Sequence, residues 1–342
     1  MRSSRFVSIL LFCLVSLLFV LEIIFGSVDI SLGELKDVLV GNQLPDQRKF
    51  VKDIIFESRF PRALTALLAG SGLALCGLLM QSLFRNPLAG PSVLGISSGA
   101  SLGVSLVIAG GIGFGFSNGW LNQLSISFAA MIGAFAVMAG IIAVSVKLRD
   151  HISLLIFGLM IGYLCSAMVT IVEFGASKEA IRTFVFWGMG SFAAATFSQI
   201  LLMAIIVIAG ILISLVLCNK LNVMLLGEDY AKTMGLHFSQ LRLIILLITG
   251  ACTGIITAFC GPIAFLGLAV PHLARGLVKS GDHKLLMPAV LLSGAAVAML
   301  CDLISRLPGS DYSLPLNAVT SLIGAPIVIA IIFKNARMKS WF

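Results

Sequence analysis

Apolar runs of membrane-crossing length recur from one end of this chain to the other, and they limit its fold more than any other feature. The first, Phe6–Phe25, holds one charged residue, Glu22. About 20 such residues cross the hydrocarbon layer as a helix. Lipid leaves no water to satisfy an open backbone, so runs this long must be helical. Ten spans can be drawn: Phe6–Phe25, Pro61–Leu83, Val93–Ala109, Leu124–Val146, Ile152–Phe174, Thr196–Cys218, Leu241–Cys260, Ile263–Val278, Leu286–Ile304 and Leu316–Phe333. The third and eighth are short and rich in Gly and Pro, which predicts broken or tilted helices. The whole chain, 1–342, is expected to be a single all-α, polytopic membrane domain of about ten helices. Composition agrees: 11% of residues are charged, against about 25% in soluble domains. With 59% hydrophobic residues, disorder and a large soluble domain are both excluded.

Ten spans put both termini on one side. With that side cytoplasmic, the inner segments hold 13 Lys and Arg and the outer ones nine, so the positive-inside rule favours cytoplasmic termini. The net charge of +8 is then a topological signal, and no nucleic-acid partner is implied. Arg2 and Arg5 before the first run resemble a secretory leader, but no A-x-A site follows, so this run is expected to stay as a helix. The seven cysteines lie in or beside apolar segments without a CxxC; they are expected to act as small hydrophobes, with no metal site.

Two polar segments stand out. The outer one, 27–62, ends in Arg59-Phe60-Pro61-Arg62. Pro61 suits a helix's first turn, and the flanking arginines either present a positive patch or snorkel to the interface. Arg306 follows Asp302 by four residues, a spacing that lets the carboxylate orient the guanidinium. The inner segment, 219–240, carries Glu228 and Asp229 where a short helix would begin and Gly235 where it would end. That helix is either a docking element or a plain connector.

Two Gly/Pro-rich stretches, each after a span with a small-residue stripe (Gly70, Ala74, Gly77; Gly250, Gly254), hint at an inverted repeat. In the first stretch Asn86, Pro87, Gly95, Ser98 and Gly99 either line a pathway or allow close packing. In the second, Gly261, Pro262 and Pro271 break the helix, and His272 and Arg275 share one face. His272 reads first as a structural hydrogen bonder. Arg275 would bond freed carbonyls or face an inner cavity. No Gly-Lys dipeptide, HExxH or GxSxG occurs, so neither a P-loop nor a hydrolase site is present. The acids Glu22, Glu173 and Asp302 sit near outer ends, which disfavours a carrier driven by its own ion relay.

RFPR, RNPLAGPSVLGISSGASLG, LGEDYAKTMG, GPIAFLGLAVPHLAR, Asp302…Arg306 and LNAVTSLIGAPIVIAII, in this order, resemble the FecCD/BtuC-type permease family. These are membrane subunits of bacterial ABC importers for iron–siderophore complexes, haem and vitamin B12. The resemblance implies an inner-membrane permease working with a second copy or a paralogue, two cytoplasmic ATPase subunits, and a periplasmic or lipid-anchored binding protein. The chain itself would be no enzyme and need no cofactor, ATP being used by the partner. Arg59, Arg62 and Arg306 match the arginines that receive the binding protein. Leu226, Gly227, Glu228, Asp229, Ala231 and Gly235 match the segment that couples to the ATPase. Gly90-Pro91 departs from the acidic or other residue many members carry before this proline, while Phe184–Ser191 leans towards haem- and cobalamin-type members. The alternative is a secondary carrier or channel without an ATPase.

Overall fold

The computed structural model describes the backbone of residues 2–26, 28, 30–40, 48, 50–110, 119–148, 151–306 and 313–339, and of these the side chains except at 2–5, 39, 119–123, 151, 228, 229, 232, 331, 332 and 334–339. Among the described residues the chain is all helical. In order come α1 (Arg2–Ile24), α2 (Leu32–Val40), α3 (Phe50–Asp53), a π-helical turn (Ile54–Arg59), α4 (Phe60–Phe84), a 3₁₀ turn (Pro91–Leu94), α5 (Ile96–Ala109), α6 (Gly119–Ser145), α7 (His151–Phe174), α8 (Lys178–Gly188), α9 (Phe197–Leu225), α10 (Glu228–Thr233), α11 (Phe238–Cys260), α12 (Leu266–Val278), α13 (His283–Ser305) and α14 (Leu316–Lys339).

Every predicted span coincides with a helix. Seven helical runs are long and apolar enough to cross a membrane, and α5, α12 and the apolar part of α14 are shorter. Both Gly/Pro-rich spans are half-length, as their sequences imply. Three boundaries differ. The second span starts at Phe50, well before Pro61, because a π turn precedes the proline: Phe60 N–H bonds the Ile55 carbonyl, five residues back. The wider turn makes room for a ring that has no N–H to offer and would otherwise strike the preceding turn. Second, α9 runs on to Leu225, past the apolar limit at Cys218. Third, α8 is an extra amphipathic helix between the fifth and sixth spans, capped by Ser177 Oγ, which accepts from Ala180 N–H at 3.2 Å.

Small residues decide which helices are central. The most apolar window of the α3–α4 run is 89% buried, that of α11 78%, and those of α1 and α7 only 22%. A Cβ at Gly70 would overlap the Gly294 carbonyl of α13, and one at Gly77 the Gly267 carbonyl of α12. Backbones in contact exclude lipid, and α4 is enclosed. By contrast α9 is apolar all round and shows Leu201, Ile205, Leu212 and Val216 outward, as a lipid-facing helix does. The contacts follow the predicted repeat: α4 packs on α12 and α13 as α11 packs on α5 and α6, and α5 meets α6 and α7 as α12 meets α13 and α14.

Candidate functional site

At the end of the bundle where α4 begins, the three arginines converge on α1 and α13. Arg62 lays Nε and Nη2 on the two oxygens of Asp302 at 2.8 and 2.9 Å. Arg306 meets the same carboxylate through Nη2 at 2.5 Å and Nε at 3.1 Å, as its i,i+4 spacing implies. It also pairs with Glu22 of α1 and donates from Nη1 to the carbonyls of Glu22 (3.1 Å) and Phe25 (2.9 Å). Arg59 donates to the Ile23 (2.7 Å), Ile24 (2.5 Å) and Val28 carbonyls. The Ile23 and Ile24 carbonyls end α1 and have no helical donor, and Val28 follows in the segment after it. Arg59 is 5% exposed, so it faces inward, against the expectation of three outward arginines. The side chains of Arg62 and Arg306 keep 20% and 11% of their surface accessible.

The opposite end carries α10. Its helix begins at Glu228 and is closed by Gly235, φ +78°. Leu236 N–H returns to the Ala231 carbonyl at 3.0 Å, the six-to-one bond of a Schellman cap. Ala231 is fully buried and pins the segment. Gly227, φ +127°, passes close to the Arg85 guanidinium, which itself donates to the Met224 carbonyl at 3.1 Å. Leu226, Tyr230 and Met234 are 62%, 55% and 58% exposed, forming an apolar cap beyond the ends of the spans. The side chains of Glu228 and Asp229, and of Lys232, lie outside the described residues.

Beneath α10, α9 and α13 are tied by polar groups. Asn222 donates to Asp282 Oδ1 at 2.7 Å and accepts from His283 N–H at 2.9 Å; His283 Nε2 lies 2.8 Å from Ser82 Oγ of α4. The Asn222 amide, with the Lys284 N–H, holds the Asp282 carboxyl below the usual carboxylate range.

The helix breaks are held by neighbours. Asn86 Oδ1 caps its own turn, accepting from Leu88 N–H at 2.9 Å, and the next carbonyl, of Pro87, accepts from His272 Nε2 at 2.7 Å. Gly95 takes φ +72° and lies against Gly158 and Gly162 of α7, and Gly99 lies against Gly133 and Val137 of α6. Close packing therefore accounts for both glycines, while Ser98 is half-buried. Gly261, φ +74°, sits on the Trp187 carbonyl, and the Pro262 carbonyl approaches Gly190. Pro271 is buried within α12. Arg275 donates to Gln81 Oε1 at 2.5 Å, and the Gln81 amide reaches the Leu268 carbonyl at 3.1 Å.

Residues 14–334 match the FecCD transport family. The chain belongs to that family. Among relatives of this FecCD permease are vitamin B12 import system permease proteins: that of Citrobacter koseri is 37% identical over 83% of this chain and 84% of its own length, and that of Klebsiella pneumoniae 36% over 82% of each. In structure it is similar to an inward-facing conformation described as a metal-chelate type ABC transporter, with a TM-score of 0.83, 30% identity and coverage of 96% of this chain and 99% of that one. PsaBC from Streptococcus pneumoniae shares the fold at a TM-score of 0.50 and 14% identity over 86% of this chain and 94% of that one.

In this FecCD member two surfaces escaped sequence reasoning. Tyr230 and Met234 were hidden in a polar loop, although apolar residues in a segment too short for a core were a usable signal. On α7, Tyr163, Ser166 and Thr170 are exposed at spacings of three and four, one helix face. Ser166 and Thr170 donate only to their own backbone, at 2.9 and 3.1 Å.

Proposed function

We propose that this chain is the permease subunit of an ATP-driven importer that carries a bulky metal chelate, a corrinoid such as vitamin B12 before an iron–siderophore complex or haem, into the cytoplasm by alternating access. The apolar cap of α10 carries the reading. Tyr230 on this helix and Leu226 and Met234 at its two flanks are exposed on a segment anchored through Ala231 and Gly235, an arrangement that only a partner makes favourable. That partner is a cytoplasmic ATPase subunit, two of them serving a pair of permease copies or paralogues. The α10 end is then cytoplasmic, with both termini. The arginine end faces outward, where the accessible edges of Arg62 and Arg306 meet carboxylates of a binding protein, by charge complementarity that sets encounter and register. Arg59 serves docking indirectly, by fixing the end of α1. The hydroxyl-bearing face of α7 lines the path between two copies, with Asn86, Pro87 and Ser98 at its cytoplasmic side and the Gly261–Pro262 break opposite. The kinship to B12 permeases supports the corrinoid.

Tyr230→Asp with Met234→Asp tests the reading. A buried tyrosine anchor is worth about 2 kcal/mol or more, so affinity for the ATPase should fall about 30-fold. Co-purification of the ATPase and ATP-dependent cobalamin uptake should both be lost, with membrane insertion intact. Uptake that persists without ATP would instead establish a secondary carrier or channel.

A further inference from the structure

We propose that this permease holds an anionic phospholipid at a defined site in the leaflet on its α10 side. A groove of about 590 Å³ opens between four helices, bounded by Leu11 and Leu14 of α1, His272 and Gly276 of α12, Ser293 of α13 and Ile327 of α14. Its walls are almost wholly apolar, and small side chains keep it deep: the Cβ of a residue at Gly276 would meet nothing within 4 Å. His272 reaches the Pro87 loop and α12 ends at Val278, which puts the groove in the half of the bundle nearer α10. Apart from His272 and the Ser293 hydroxyl the walls offer water no polar partner, so a furrow of this volume is filled by an acyl chain.

Lys279 offers the headgroup its charge. It caps α12 just after Gly276 and Leu277, which line the groove, and its exposed side chain has no hydrogen-bond or ion-pair partner among the described residues. It stands in the left-handed region, φ +53°, closing the helix with a bond from its N–H to the Arg275 carbonyl at 2.9 Å. The adjoining last-turn carbonyls repel anions, so a phosphate would sit on the ammonium and away from the helix axis. A basic residue at the end of a span that borders such a furrow selects for an anionic headgroup. The site needs no assumption about transport; only its assignment to the inner leaflet rests on the proposed orientation.

Native mass spectrometry of the purified full chain, partly delipidated and offered phosphatidylglycerol or phosphatidylcholine, tests this. Wild type should retain phosphatidylglycerol in preference, and Gly276→Phe, which sends a ring into the furrow from a Cβ that meets nothing within 4 Å, should lose it. Lys279→Asn, which tolerates the left-handed backbone and removes the charge, should retain both lipids alike. Retention of phosphatidylglycerol by Gly276→Phe at the wild-type level would overturn the site. So would a wild type indifferent to headgroup, a Lys279→Asn variant that keeps the preference, or a Gly276→Phe variant that loses a second copy of the chain while its lipid is unchanged.

Discussion

Asp302→Asn is expected to destabilise the protein by about 3–5 kcal/mol, the cost of leaving a buried charge without its counter-ion. One carboxylate, 1% exposed, takes both oxygens to Arg62 and shares one with Arg306. Neutralising it strands the Arg62 guanidinium between α4 and α13 and leaves Arg306 with Glu22 as its acid among the described residues. Unfolding of the detergent-solubilised protein should move down sharply in temperature. The more accessible Arg48–Glu34 pair, 2.7 Å apart with 39% and 16% of its side-chain surfaces exposed, should give a smaller loss when Glu34→Gln is made, because water reaches both groups. Equal responses of the two variants would mean that the buried cluster is hydrated and contributes little. A function-specific effect is also expected: if Arg62 and Arg306 dock the binding protein as proposed above, loss of Asp302 should disturb that docking in membranes where the chain is still inserted.

Gly77→Ala is the second large effect. A single methyl at this position would overlap the Gly267 carbonyl, which is backbone and cannot rotate away. The α4–α12 crossing must open, at a cost of at least the 1–3 kcal/mol typical of overpacking, and it sits next to the Gly261–Phe265 break. Gly140→Ala on α6 is the control: its added Cβ meets nothing within 4 Å, so the better helix propensity should leave stability unchanged or raise it by up to about 1 kcal/mol. Thermal unfolding of the pair distinguishes contact from propensity. If both substitutions behave alike, α4 and α12 do not rely on backbone contact.

The span positions were legible because hydropathy is a local property, summed over about 20 neighbouring residues. The α10 helix was legible too, from acids at its start and glycine at its end. Asp302 and Arg306 could be paired in advance because four residues fix their separation on a helix. Arg62 could not be assigned to Asp302, because 240 residues separate them and no local pattern links them. The π turn before Pro61 was also hidden, since proline normally announces a first turn, and only the helical run from Phe50 reveals that it does not do so here. Gly95 and Gly99 allowed two readings, a pathway or close packing, until α6 and α7 were seen against them.

Sequence alone thus determined that this chain is an all-helical membrane protein with about ten spans, half-length elements at two Gly/Pro breaks and a polar segment at each end of the bundle. Those properties depend on residues near one another in the chain. Tertiary structure decided which charges are spent internally and which surfaces remain open. Arg59 is consumed by the end of α1, Arg275 is paired with Gln81 of α4, and Leu226, Tyr230 and Met234 are left exposed. The reason is physical: a charge or an apolar side chain is satisfied by whatever lies within a few ångströms, and in a bundle of this kind that neighbour usually comes from a distant part of the chain.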